Sequence, residues 1–152
     1  MRKLVKHART SGLMNIEIKW QGELIKYNLH EEMVIDPDKI THEALMQPSA
    51  YAFLAMLHKK LARHVAQLET EMKREYSRAY IKYKGMNNPK TNRPYSDDLC
   101  KEKANISRDY KKAEDTFIEA RGQESLIYAC VRAFEGRQQM IQTISANTRK
   151  EV

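Results

Sequence analysis

Glycine and proline are scarce in this 152-residue sequence, with 5 and 4 copies. A many-stranded sandwich or barrel needs turn residues at short, regular intervals, so that class is excluded. Cysteine occurs twice, at Cys100 and Cys130. Two thiols make neither a disulfide framework nor a four-ligand zinc site, and a reduced intracellular protein is the simplest expectation. On one straight helix they would stand about 45 Å apart, too far to bridge. Apolar runs such as Leu126 to Val131 fall far short of the roughly 20 residues that span a bilayer. The opening Met1-Arg2-Lys3-Leu4-Val5-Lys6 is cationic with no apolar stretch behind it, so no secretory signal is expected.

Catalytic patterns are missing as well. There is no glycine-rich phosphate loop and no nucleophile elbow. The five histidines, His7, His30, His42, His58 and His64, are scattered. His58 and His64 do not share a helix face at ligand spacing, and Thr41-His42-Glu43 has no second histidine at the zinc-protease offset. The expectation is a non-enzyme with no cofactor, no catalytic residue and no metal site. The hydrophobic fraction, 41%, is too high for a disordered chain. The length suits one domain, or one with a small appendage.

What the chain has is positive charge, in one place. The formal net charge is +7. Residues 1–57 carry seven basic and seven acidic side chains, and residues 95–152 carry ten of each. Residues 58–94 carry ten basic and three acidic, so the whole excess lies there. A smaller cluster, Arg2, Lys3, Lys6 and Arg9, opens the chain. A localised basic patch is the footprint of a polyanionic partner, set against the plain alternative of a solvated helix surface.

The pattern predicts a mainly α fold. Ile16, Ile18 and Trp20 alternate with Glu17 and Lys19, Gln21-Gly22 can form a two-residue turn, and a second run follows through Leu29, so a small β-hairpin is expected. With the basic lead it makes an N-terminal segment, 1–35, ahead of a helical domain, 36–152. Asp36 caps a short helix, 37–47, with Pro37 pre-organised at its start, and Pro48 interrupts or kinks the chain. A long helix, 49–84, follows. Its seam is Leu54, Leu57, Leu61, Val65, Leu68, Met72, Tyr76, Ala79 and Tyr83, an 11-residue period that needs little supercoiling. Gly85 stops it. A loop, 85–95, leads to a second long helix, 97–147, capped by Ser96 or Asp97. There Ile106, Ala113, Ala120, Ile127, Phe134 and Ile141 recur every seven residues beside Tyr110, Phe117 and Val131. The two helices form a long, coiled-coil-like antiparallel hairpin. Gly122 and Gly136 inside the second helix mark a bend or close packing.

Around Leu126–Phe134 the second helix is apolar on most of its circumference, so more than one neighbour must cover it. A homo-oligomer is expected, with subunit contacts from Ile127, Val131, Arg132, Phe134, Arg137, Met140, Ile141 and Ile144. The candidate polyanion site is the basic excess: Lys59, Lys60, Arg63, Lys73, Arg74, Arg78, Lys82, Lys84, Lys90 and Arg93. Arg74, Arg78 and Lys82 are four residues apart and form one stripe. Tyrosines are interleaved. Tyr76 and Tyr83 fall on the seam and belong to the core, whereas Tyr80 and Tyr95 are better placed to stack on bases. Cations that track phosphates beside aromatic faces suit sequence-independent single-strand binding, and nothing here favours base-edge readout.

With those pieces in order, the chain resembles the UvsY-type bacteriophage recombination mediators from about Met33 onward. The resemblance is carried by VIDPDKITHEALMQPSAYAFLAML (34–57), by the basic helix closing on Tyr83-Lys84-Gly85, and by the basic, glutamine- and isoleucine-rich end GRQQMIQTISANTRKE (136–151). It implies a helical protein in a ring-like homo-oligomer, heptameric in the family, that binds single-stranded DNA without sequence preference. It implies help to a RecA-like recombinase in nucleating on DNA covered by single-strand-binding protein, in the cytoplasm of an infected bacterium. Lys73, Arg74, Arg78 and Lys82 match the family's DNA-binding helix by region, and Arg132 to Ile144 match its subunit contacts. The hairpin and its basic lead depart from the family pattern. Two rival readings are a structural virion or assembly protein that meets an acidic partner, and a basic helical adaptor for RNA or duplex DNA.

Overall fold

The computed structural model of the chain describes residues 15–20 and 22–148. The basic lead at Arg2, Lys3, Lys6 and Arg9 lies outside them. Strands β1 (Asn15–Trp20) and β2 (Glu23–Asn28) pair antiparallel, with Ile16 opposite Tyr27 and Ile18 opposite Ile25. Gly22 takes the left-handed φ of +86° that a two-residue hairpin loop demands. The alternation decides the faces: Ile16 and Ile18 are buried, while Glu17 points outward and pairs with Lys26 across the ladder at 3.1 Å.

Helix α1 (Leu29–Met33) was not expected. Asn28 ends β2 and caps α1 at once, its Oδ1 accepting from the Glu31 amide at 3.1 Å. Asp36 then caps a 3₁₀ turn, Pro37–Lys39, accepting from the Asp38 amide at 3.1 Å. Of the expected short helix 37–47, residues 37–39 are this turn and residues 40–47 are the start of the long helix. Helix α2 runs unbroken from Ile40 to Lys84, through Pro48. The proline neither stops nor divides it. Pro48 is exposed, one missing hydrogen bond is small beside 45 residues of helix, and buried Gln47 and Leu54 anchor the chain on both sides.

Helix α2 ends where Gly85 follows, but Gly85 does not take a left-handed φ. The second expected helix is two. Helix α3 (Asp97–Asn105) is capped by Ser96, whose hydroxyl accepts from the Leu99 amide at 3.4 Å. Helix α4 (Arg108–Thr148) begins anew after Ile106 and Ser107. Ile106 opened the heptad pattern, yet it is 73% exposed. The turns before it are fixed instead by Cys100 and Ala104, both fully buried. Ser107 restarts the helix, its carbonyl accepting from the Lys111 amide at 3.0 Å. Nothing lies within 4 Å of a Cβ built on Gly122 or Gly136, so neither glycine answers to close packing within the described residues.

The chain divides into two compact units, residues 1–58 with 125–152, and residues 59–124. In the first, α2 and α4 run antiparallel, with His58 against Tyr128 and Gln47 against Phe134. Its core is Ile16, Ile18, Leu54, Leu57, Ile127, Cys130, Val131, Phe134 and Ile141. Each such large side chain removed from water contributes about 1.5–3 kcal/mol before ordering costs. Arg137 lies inside this core, 6% exposed. Its Nη1 donates to Gln47 Oε1 at 2.6 Å, and its Nη2 donates to Val34 O at 3.2 Å and to Glu43 Oε2. Gln47 in turn donates to Phe134 O at 2.8 Å.

This packing corrects the expected subunit contacts. Ile127, Val131, Phe134, Arg137 and Ile141 are buried by the chain's own residues. A heptad seam reports that a face is covered, not by whom, and here the first half of α2 and the segment at Val34 belong to the same unit. Arg132 and Met140 are exposed, and Ile144 is half-buried.

The second unit has a thinner core. Leu61, Cys100, Ala104 and Ala120 are buried, whereas the seam residues Val65, Leu68, Met72, Tyr76, Ala79 and Tyr83 are half-buried. A single helix pair covers one stripe of each partner and leaves its flanks wet. Tyr76 meets Tyr110 edge to face at 5.6 Å, which places it in the seam as its spacing predicts.

Candidate nucleic-acid interface

The basic excess falls in the second unit. Its cations stand on the exposed side of α2 because the 11-residue seam commits the other side to packing. Lys59, Lys60, Arg63, Lys73, Arg74, Arg78, Lys82 and Lys84 are all exposed. Lys73 pairs with Glu69 at 2.6 Å, and Arg78 with Glu75. Lys59, Lys60, Arg63, Arg74 and Lys82 make no ion pair with another described residue. Exposed Lys–carboxylate pairs of this kind are worth about 0–1 kcal/mol, so a phosphate can displace them.

Lys90 and Arg93 are carried by the loop between α2 and α3, and Asn88 organises that loop. Its backbone amide donates to Arg93 O at 2.7 Å, and its carbonyl accepts from Thr91 and Asn92 at 3.2 and 2.8 Å. Its Oδ1 accepts from the Lys90 amide at 3.0 Å. Asn92 sits at φ +51°, a conformation asparagine tolerates better than most residues. Asn87 and Pro94 form an isolated antiparallel bridge at the base. A short ordered turn thus holds two exposed cations, neither ion-paired to a described residue. Sequence reasoning found the loop but missed Asn88, whose signal is Asn-Pro followed by Asn three residues on.

The tyrosines are more committed than their spacing suggests. Tyr80 is half-buried, and its hydroxyl donates to Asp97 Oδ1 at 2.7 Å. Lys84 Nζ donates to the same hydroxyl and the same carboxylate, each at 3.2 Å. The Tyr80 hydrogen bond, with Lys84 second, holds the Asp97 carboxyl below the ordinary aspartate range. The Tyr80 hydrogen bond, with Asp97 second, raises the Lys84 ammonium above the ordinary lysine range. Tyr95, also half-buried, stands edge to face with Tyr83 at 6.5 Å. Lys103 lies over both rings, 5.0 Å from Tyr95 and 5.5 Å from Tyr83. Lys103 was missed because it comes from α3, in the charge-balanced part of the sequence. Beside the stripe lies a cleft of about 340 Å³ lined by Glu75, Arg78, Ala79, Lys82, Tyr83, Ser107 and Asp109. Its two carboxylates balance its two cations, so the positive surface is the stripe and the loop, not the cleft.

Among the described residues there is no cluster of three or more candidate metal ligands, and no helix long and apolar enough to cross a membrane. With the backbone and the charged face in place, comparison is informative. Three crystal forms of the bacteriophage T4 recombination mediator protein UvsY match the chain with TM-scores of 0.67, 0.65 and 0.65. The matches cover 82, 82 and 81% of this chain and 93, 96 and 91% of UvsY. The chain has the UvsY fold. Sequence identity is 18, 16 and 16%, so the likeness lies in how the helices are arranged rather than in their residues. No family model and no curated protein sequence matches the chain. UvsY is thus a guide to the architecture here, and the cations belong to this chain's own sequence.

Proposed function

We propose that this protein is a non-enzymatic recombination mediator that binds single-stranded DNA without sequence preference. It helps load a RecA-like recombinase onto DNA covered by single-strand-binding protein, in the cytoplasm of an infected bacterium. The observation that carries the reading is the set of exposed cations on one unit, Arg74 and Lys82 on α2 with Lys90 and Arg93 on the loop, none ion-paired to a described residue. The fold shared with UvsY, itself a recombination mediator, supports it.

Lysine and arginine side chains on this surface neutralise phosphates and release condensed counterions, which gives affinity without reading bases. Tyr95 and Tyr83, under the Lys103 ammonium, offer ring surface at the edge of the same region. One such site is modest. The protein acts as a ring-like homo-oligomer in which repetition raises the effective concentration of each site for the next stretch of strand.

The test is Arg74→Ala, Arg78→Ala and Lys82→Ala in one protein, titrated with labelled oligo-dT over a salt series. Removing three phosphate contacts lowers the salt slope by up to about 2 per protomer for a single strand. An unchanged slope places the DNA site elsewhere, first at the basic lead of residues 2–9.

A further inference from the structure

In the unit of residues 59–124, helix α2 has a side that holds neither the seam nor any acid. Arg63, Gln67, Thr70, Arg74, Ser77 and Ile81 follow one another at steps of three or four residues, opposite Met72, Tyr76 and Tyr83. All of them are exposed, and none is a carboxylate. The Thr70 and Ser77 hydroxyls donate back to the Ala66 and Lys73 carbonyls, each at 2.9 Å, so both donors are already committed to the helix.

The line ends on Ile81, which is 68% exposed. The other large apolar side chains of α2 in this unit are buried or half-buried. On the helix surface Ile81 has Ser77 and Arg78 one turn back and Lys84 and Gly85 one turn on. Two of these neighbours are cations and two lack bulk. Gly85 keeps a helical position, its amide donating to the Ile81 carbonyl at 3.1 Å, so no side chain walls off that end. A lone exposed isoleucine is ordinary on a protein surface. This one stands in the middle of the basic excess, where lysine or glutamate would suit an exposed helix better. Its β-branched stem has one dominant rotamer in a helix, so little freedom is lost when a ligand packs on it.

We infer that Ile81 packs against the face of an unpaired base and sets the preference for a single strand over duplex. The inference deepens the proposed DNA site and rests on it. An acidic protein surface would match the cations and leave the isoleucine without a partner. A single strand supplies both, phosphates for Arg74, Arg78 and Lys84 and an open base face for Ile81. A duplex keeps its base faces stacked inside and offers this surface its phosphates and sugars. Contact with a face rather than an edge carries no sequence preference. Tyr80 is tied to Asp97, and Tyr83 and Tyr95 are half-buried, so Ile81 is the freer apolar surface among the cations.

The test titrates wild type, Ile81→Ala and Ile81→Trp against labelled oligo-dT, an abasic strand of equal length and a duplex, read by fluorescence anisotropy. The abasic strand keeps the charge and has no base. Losing roughly 30–50 Å² of apolar contact in Ile81→Ala is expected to weaken oligo-dT binding about three- to tenfold. Binding of the abasic strand and the duplex is expected to stay at wild-type strength. The oligo-dT salt slope also stays, because no phosphate contact is lost. Ile81→Trp is expected to bind oligo-dT more tightly than wild type, since an indole stacks on a base. Matching urea midpoints show that the exposed substitutions leave the fold intact. Unchanged oligo-dT affinity in Ile81→Ala, or an equal loss on the abasic strand or the duplex, overturns the inference. So does an Ile81→Trp protein that binds oligo-dT no better than Ile81→Ala. Wild-type protein that binds none of the three at low salt overturns the DNA site itself, a distinct result.

Discussion

Replacing Arg137 by alanine removes a guanidinium that ties three segments of the chain together. Val34, Glu43 and Gln47 each lose the donor they share, and the Glu43 carboxylate, with a side chain only 20% exposed, is left without its ion-pair partner. Breaking a buried pair from one side costs about 3–5 kcal/mol, because the stranded charge keeps its desolvation penalty. Part of the native cost is already present, since Arg137 Nε is buried with no partner. With a urea m-value of about 1–3 kcal/mol/M, the midpoint should fall by between about 1 and 5 M. Protein concentration must be held fixed, because self-association would add to apparent stability. The control is Arg132→Ala, which breaks an exposed pair with Glu135 at 2.6 Å and should cost no more than about 1 kcal/mol. A double-mutant cycle of Arg137 and Glu43 should give a coupling of at least about 1 kcal/mol. If Arg137→Ala loses no more than Arg132→Ala, the network does not hold the unit together.

Other outcomes follow from the same packing. Leu61→Ala, at a side chain 1% exposed, should cost about 2–5 kcal/mol, whereas Ile81→Ala, 68% exposed, should stay within about 0.5 kcal/mol by the same denaturation. The Asp97 carboxyl is held below its ordinary range in the fold, so its contribution is present above that range and is lost as pH falls through the folded value. Amide protection factors in the loop from 85 to 96, taken relative to the intrinsic rate at each pH, should therefore fall in acid, and Asp97→Asn should remove that local acid response. Asn88→Ala should loosen the same loop at neutral pH, seen as faster exchange at Lys90, Thr91 and Asn92, with helix amides unchanged.

Local patterns in the sequence were faithful guides where one segment decides the outcome. The alternation through Ile16 and Ile18, the Asp36 cap with Pro37, and the 11-residue seam on α2 all depend on near neighbours or on one face. Pro48 shows the limit: its own chemistry argues for a break, but Gln47 and Leu54 are held by partners far away in sequence. The stop at Ile106 was hidden for a similar reason, because the heptad repeat reads through it while Cys100 and Ala104 set the packing. Arg137 looked like an interface residue beside its apolar neighbours, and only contact with Val34, Glu43 and Gln47 shows that it lies inside the protomer. The basic stripe was legible as charge. Tyr80 as a free stacking face was not, since its hydroxyl is tied to Asp97 across the loop.

The central claim is tested most directly by fluorescence anisotropy of labelled oligo-dT, duplex DNA and RNA of equal length, titrated with the full chain over a salt series. The account predicts preference for single-stranded DNA and a steep, linear fall of log affinity with log salt. Binding that stays undetectable at low salt, or that favours duplex or RNA, would contradict it.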